Sequence, residues 1–310
     1  MSEFFTTAIL TATVASGIQL AAPFLLASLG ETLGQRSGVL NLGVDGIMLI
    51  GAFTSYYVTL KTGDLRLAVL AGIGVGAVCG VATAFISVTL RAEQGISGIG
   101  VYLFALGLTS LLFLKLVGTP LPIDQPGKVA VPYFHELPFV GKTFFRQDVL
   151  VYIAFALVPV VAFVLNRTTF GLNVKAVGEN PAAADSLGVN VARTRYATVT
   201  IGSALAGLAG ATLLIDVGIF QQNITNAQGF IAVALVYFGG WRPVGVMLGS
   251  LLYGMTQALV LAWKGLGIIP VSLSDLASAA PAVITVLALL TVARRFRQPA
   301  ALATPYTRGG

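Results

Sequence analysis

Asn41 and Asp45 stand four residues apart in an otherwise apolar stretch, which puts a carboxamide and a carboxylate on one face of a helix. Polar groups at membrane depth are costly and mark function by default. Two readings of Asp45 stay open: a contact to a transported solute, or a helix-start carboxylate held by the local dipole and by nearby Arg36. Asp216, followed by Gln221, Gln222 and Asn223, reads as an interfacial, solvated acid at the far end of another apolar stretch. Two acids at opposite ends make a poor proton relay. Tyr102 and Tyr237 also lie in apolar stretches. They could line a passage for a flat solute, or serve as packing and lipid-facing residues.

Catalytic chemistry is missing. Single residues, His135 and Cys79, cannot build a metal site, a triad or a disulfide framework. Neither HExxH nor Gly-x-Ser-x-Gly occurs. Gly141-Lys142-Thr143 resembles the end of a phosphate-binding loop, but position 136 is Glu where that loop needs Gly. The sequence therefore offers no catalytic residue, no metal ligand set and no ATP site of its own. It does not read as an enzyme.

The elements that must position these residues follow from composition. Of 310 residues, 56% are apolar and 10% charged, against roughly 25% charged in a soluble domain. With a mean hydropathy of +0.89, this is an integral membrane protein. The apolar runs lack the alternation of barrel strands, and 36 glycines suit closely packed helices. The expected architecture is an all-α polytopic bundle in one domain, 1–310. Runs long enough to span lie near 8–29, 38–59, 66–90, 96–117, 148–165, 196–217, 244–263 and 275–293. A shorter piece at 228–240 is either a ninth span or a broken, partly re-entrant helix. About nine crossings (eight to ten) place eleven of the 18 Lys and Arg residues on the C-terminal side, including Arg294, Arg295 and Arg297. That asymmetry puts the C-terminus in the cytoplasm and the N-terminus outside. It also explains the net charge of +6 without nucleic acid. The first run follows Glu3 rather than a basic cluster and reads as a retained helix.

Two loops and one glycine face stand out. Residues 118–147 hold five of the 13 prolines and form an external loop that cannot be one continuous helix. Residues 166–195 form the long inner loop. Within it, Asn180 suits an N-cap, Pro181 a first helical position and Gly188 a stop, so 181–187 reads as one short helix. Such a helix is either a surface feature or a docking peg. Gly72, Gly76 and Gly80 form a packing face, and residues 298–310 read as a flexible tail.

Residues 30–49, from Gly30-Glu31 through Arg36 to Gly38-Val39-Leu40-Asn41-Leu42-Gly43-Val44-Asp45-Gly46, resemble a signature of ABC importer permeases. The group is that of the ribose and branched-chain amino acid permeases, and Asp45 stands where Glu is commoner. Ala176 to Val189 is similar to that family's coupling segment, and Gly229 to Pro243 resembles a third block. The version in hand looks most like the simple-sugar-type subfamily served by basic membrane lipoproteins for nucleosides. The resemblance implies a bacterial plasma (inner) membrane subunit pairing with a second permease, identical or related. Two cytoplasmic ATPases carrying ATP and magnesium, and an external substrate-binding lipoprotein, would complete the importer. It also implies that Glu179, Asn180, Pro181, Asp185, Leu187, Gly188, Arg193 and Arg195 couple the chain to the ATPase. Asn41, Asp45, Tyr102 and Tyr237 would line the pathway. Simple sugars or branched-chain amino acids are the alternative cargo. A passive channel or proton-coupled carrier is the alternative class.

Overall fold

The computed structural model describes residues 7–127, 129–130, 140–292 and 297–308. Lys128, Pro132, His135, Pro138, Arg294 and Arg295 lie outside the described residues. The elements run α1 (Thr7–Arg36), α2 (Val44–Thr62), α3 (Leu65–Ala84) with a π-helical turn at Phe85–Thr89, and α4 (Gln94–Leu116). Then come β1 (Val129–Ala130), α5 (Val140–Phe144), β2 (Arg146–Gln147), α6 (Val149–Arg167), α7 (Thr169–Glu179) and α8 (Pro181–Ser186). The rest is α9 (Val191–Val217), α10 (Gln228–Phe238), α11 (Pro243–Gly265), a 3₁₀ turn at Val271–Leu273, α12 (Ser274–Ser278) and α13 (Ala280–Val292).

The protein is an all-α polytopic bundle. Among the described residues, seven helical stretches are long and apolar enough to cross a bilayer: Ile9–Arg36, Leu65–Thr89, Gln94–Leu116, Val149–Arg167, Val191–Val217, Pro243–Gly265 and Val271–Ala288. With 19 residues α2 has the length, but Asp45, Lys61 and its hydroxyl side chains dilute its apolar character. It starts at Val44 rather than near 38, because Ser37 to Gly43 form turns. At 11 residues α10 rises about 16 Å, half of a ~30 Å hydrocarbon layer. The expected nine crossings are therefore not nine uninterrupted helices. Residues 218–227 complete the path of α10: Pro122 pairs with Ile219 beside the 118–147 loop, and the Trp241 carbonyl meets Arg36 at the other end. Irregular backbone at such depth survives only where protein covers it.

The centre of the bundle is α9, with 78% of its most apolar stretch buried against 17% for α4. Lipid tails give helices no hydrophobic reason to associate, so close backbone contact does the work. Gly202 of α9 packs on Gly30, Gly207 on Gly51, Gly72 and Gly76, and Gly80 on Thr200 and Ser203. A methyl group at Gly210 would overlap the Met48 carbonyl.

At 30 residues α1 is about 45 Å long. Its last residue, Arg36, abuts Gly178 of α7, and Ser37 and Gly38 meet the C-terminal residues 301–304 and Arg195. The start of α1 and the C-terminal tail thus lie at opposite ends of the bundle.

Candidate functional site: a capped surface helix and a buried half-helix

Three side chains set the local structure of the 166–195 loop. Thr168 Oγ1 accepts the Gly171 N–H and starts α7, while Asn180 Oδ1 accepts the Ala183 N–H and starts α8. Asn190 Oδ1 then accepts the Arg193 N–H and starts α9. Leu187 closes α8, and Gly188 follows at φ +88°, a left-handed conformation that glycine adopts without a Cβ penalty. Below, Ala184 packs with Val177 and Val191, and with Tyr306 from the tail. Above, Glu179, Asn180, Ser186 and Gly188 are exposed, and Leu187 is 84% exposed. An apolar side chain that protrudes from a doubly capped helix is shaped for contact.

The C-terminal tail is attached to the rest of the chain at several points. Ala301 N–H donates to the Gly178 carbonyl and Ala303 N–H to the Gly38 carbonyl, which straps residues 301–304 across the ends of α1 and α7. Arg308 Nε meets Asp185 Oδ2 at 3.0 Å, tying the tail to α8. Arg193 is exposed, whereas Arg195 is buried. Its guanidinium donates to the carbonyls of Ser37 and Thr304, so it joins α9 to the end of α1 and to the tail.

The second constellation surrounds α10. Ala227 precedes this helix at φ +64°, and no side chain of its own segment caps it. The cap comes from α2 instead. Asp45, fully buried, accepts the Gly229 N–H through Oδ1 at 2.7 Å and the Thr225 hydroxyl through Oδ2 at 2.9 Å. The carboxylate therefore sits at the positive N-terminal ends of both α2 and α10. Arg36, the partner expected for it, instead donates to the Trp241 carbonyl. Gly229 has to be glycine, because a Cβ there would overlap the Asp45 backbone. Asn41 is also buried, and its Oδ1 accepts the Gly43 N–H in a turn just before α2.

Tyr237 belongs to this half-helix and Tyr102 packs against it from α4. Tyr102 meets Phe230 edge-to-face at 5.4 Å, and Tyr237 meets Trp241 at 4.8 Å. Trp241 Nε1 donates to Gln35 Oε1, and Gln35 Nε2 reaches Glu31, a buried chain that locks the far end of α10 to α1. Sequence reading missed Thr225, Gly229 and the Gln35–Trp241 pair as functional parts, since their partners lie far away in the chain. It also treated Asp216 as solvated. Gln19 Nε2 donates to both Asp216 and Asp148, so the acid is held by a side chain of α1. No cluster of His, Cys, Asp or Glu able to hold a metal occurs among the described residues.

A rigid exposed peg at one end and a half-helix pinned inside the bundle are parts of a transport machine rather than of a reaction centre. The family described as branched-chain amino acid transport system / permease component matches residues 13–291. This chain belongs to that family. It is a multi-pass membrane subunit of a transporter and not an enzyme, and it works with ATPase and substrate-binding partners. The guanosine ABC transporter permease protein of Bacillus subtilis is 34% identical, with 97% of this chain and 98% of that protein aligned. The nucleoside ABC transporter permease protein of Lactococcus lactis is 35% identical over 89% and 90% of the two chains. A Haloferax volcanii protein named "Putative glucose ABC transporter permease protein" is 40% identical over 85% and 80%. No solved structure matches the chain.

Proposed function

We propose that this chain is the permease subunit of a nucleoside importer in a bacterial plasma membrane. The observation that carries the reading is α8: six residues, capped at both ends, with Leu187 held out from the surface. A coupling element must pass on a push, and a capped helix resting on Val177 and Val191 does so where a loose loop would yield. On this reading α8 faces the cytoplasm and docks in a separate ATPase, where ATP and its magnesium ion are bound. Two such ATPases, a second permease subunit, identical or related, and an external lipoprotein complete the importer. Glu179, Asn180, Pro181, Asp185, Leu187, Gly188 and Arg193 make up or shape the docking surface, and Arg195 supports it from beneath. Around α10, Tyr102 and Tyr237 offer aromatic faces to a base. Asn41 and Asp45 act by fixing the half-helix. The N-terminus lies outside.

The cargo assignment follows the two relatives named for guanosine and nucleosides, which align along nearly the whole chain. The Haloferax relative favours a sugar instead. Uptake of labelled guanosine by cells carrying the complete transporter, competed with unlabelled nucleosides or glucose, separates the two. Leu187→Arg is expected to lower that uptake at least tenfold while the chain still inserts. Normal uptake with Leu187→Arg would remove the coupling role. Uptake into liposomes holding this chain alone would replace the importer by a channel or carrier.

A further inference from the structure

Apart from α8 and α10, the bundle holds a cavity of about 500 Å³ where α1, α6, α7 and α11 converge. Three cations line it: Arg36 at the last turn of α1, Lys175 on α7 and Arg242 just before α11. Apart from Asn166, its other walls are mostly apolar, from Ala162 and Leu165 of α6 to Pro243 and Val244 of α11. Arg36 Nε is engaged by the Trp241 carbonyl. Lys175 Nζ donates to Asn166 Oδ1, one of the three donors an ammonium carries. Burial and the nearby Arg36 guanidinium pull Lys175 below the usual lysine range, so the charges press on one another. Glu179 acts on Arg36 from the end of α7, one carboxylate against three cations.

The level of the cavity matters as much as its charge. The spans Ile9–Arg36, Val149–Arg167 and Pro243–Gly265 all end or begin beside it, which is where bilayer headgroups lie. Next to it, α6 exposes Val160 and Phe163, and α11 exposes Val244 and Leu248. A cationic cavity at the headgroup level, flanked by exposed apolar helix surface, fits an anion that carries acyl chains. Basic pockets between transmembrane helices hold anionic headgroups in this way. An acidic protein surface would leave the apolar helix faces unused, and a free phosphate would not need them.

We infer that this cavity is a binding site for an anionic phospholipid, its phosphate held by Arg36, Lys175 and Arg242 and its chains lying along α6 and α11. The site does not depend on the proposed cargo or on the docking role of α8.

The chain carries two tryptophans, Trp241 on the cavity wall and Trp263 near the other end of α11. In the full-length Trp263→Phe variant, Trp241 reports alone. Reconstituted in phosphatidylcholine vesicles, it is quenched by added lipid brominated on its acyl chains. Brominated phosphatidylglycerol is expected to compete for the site on the order of tenfold better than brominated phosphatidylcholine. Lys175→Gln and Arg242→Gln, which spare the Arg36–Trp241 bond, each lower that preference about fivefold. Lys115→Gln, at the end of α4, leaves it unchanged, as does millimolar inorganic phosphate. Equal quenching by both lipids overturns the site. So does an equal loss with Lys115→Gln, which would mean a diffuse surface potential. Displacement by phosphate would make it a free-anion site instead. If lipid preference is absent while Lys175→Gln weakens binding of the ATPase, the cluster is a protein-docking surface and the lipid assignment fails.

Discussion

Two of the short helices, α8 and α10, are stabilised in opposite ways. Asn180 starts α8 and Gly188 stops it, both within two residues of its ends, and Ser186 and Leu187 on its outer side are exposed. By contrast α10 begins at a left-handed alanine and borrows its cap from Asp45, 184 residues away in sequence. One is self-contained and exposed, suited to being pushed as a unit. The start of the other depends on α2, so a displacement of Asp45 is felt at the half-helix.

The largest expected effect comes from cutting that distant cap. Asp45→Ala leaves the Gly229 N–H and the Thr225 hydroxyl buried without their acceptor, at a cost of about 3 kcal/mol. Gly229→Ala should match it, since a Cβ there cannot coexist with the Asp45 backbone. Thermal unfolding in detergent checks both. An unchanged midpoint would mean that α10 is held by its packing rather than by its cap. Next comes Asn180→Ala, which removes a local cap worth about 1 kcal/mol. Hydrogen exchange of the α8 amides should rise while global stability barely moves, and a global loss would contradict the self-contained reading. The smallest effect belongs to Arg308→Ala. Arg308 is 84% exposed, so its bridge to Asp185 contributes about 0.5 kcal/mol or less. Exchange of the Ala301 and Ala303 amides should stay as it was, because their hydrogen bonds to the Gly178 and Gly38 carbonyls hold the tail there.

The same contrast explains what could be read from the sequence. The start and stop signals of α8 lie within a few residues of the backbone they serve, so Asn180, Pro181 and Gly188 mark the helix without any tertiary knowledge. The long apolar runs show the bundle for the same reason. For α10 the sequence does not decide between a span and a broken helix, because nothing near Gln228 signals a cap and Asp45 gives no hint of its reach. The spacing of Gly72, Gly76 and Gly80 is visible in α3, but that Gly207 of α9 receives the first two and Thr200 and Ser203 the third is not. The strapping of the tail is not legible in the sequence, because its attachments run through the amides of Ala301 and Ala303, which no side-chain pattern announces. Arg195 looks like a second surface cation beside Arg193, and only the fold sends it inward to backbone carbonyls.

The central claim, that α8 is an exposed cytoplasmic peg gripped by the ATPase, has one direct measurement. Cys79 is the chain's sole cysteine, so Cys79→Ala with Leu187→Cys leaves a single thiol at the peg. A membrane-impermeant maleimide should label that thiol in inside-out vesicles and not in right-side-out ones, and bound ATPase should shield it. Labelling from the outer face, or undiminished labelling with the ATPase bound, would contradict the account.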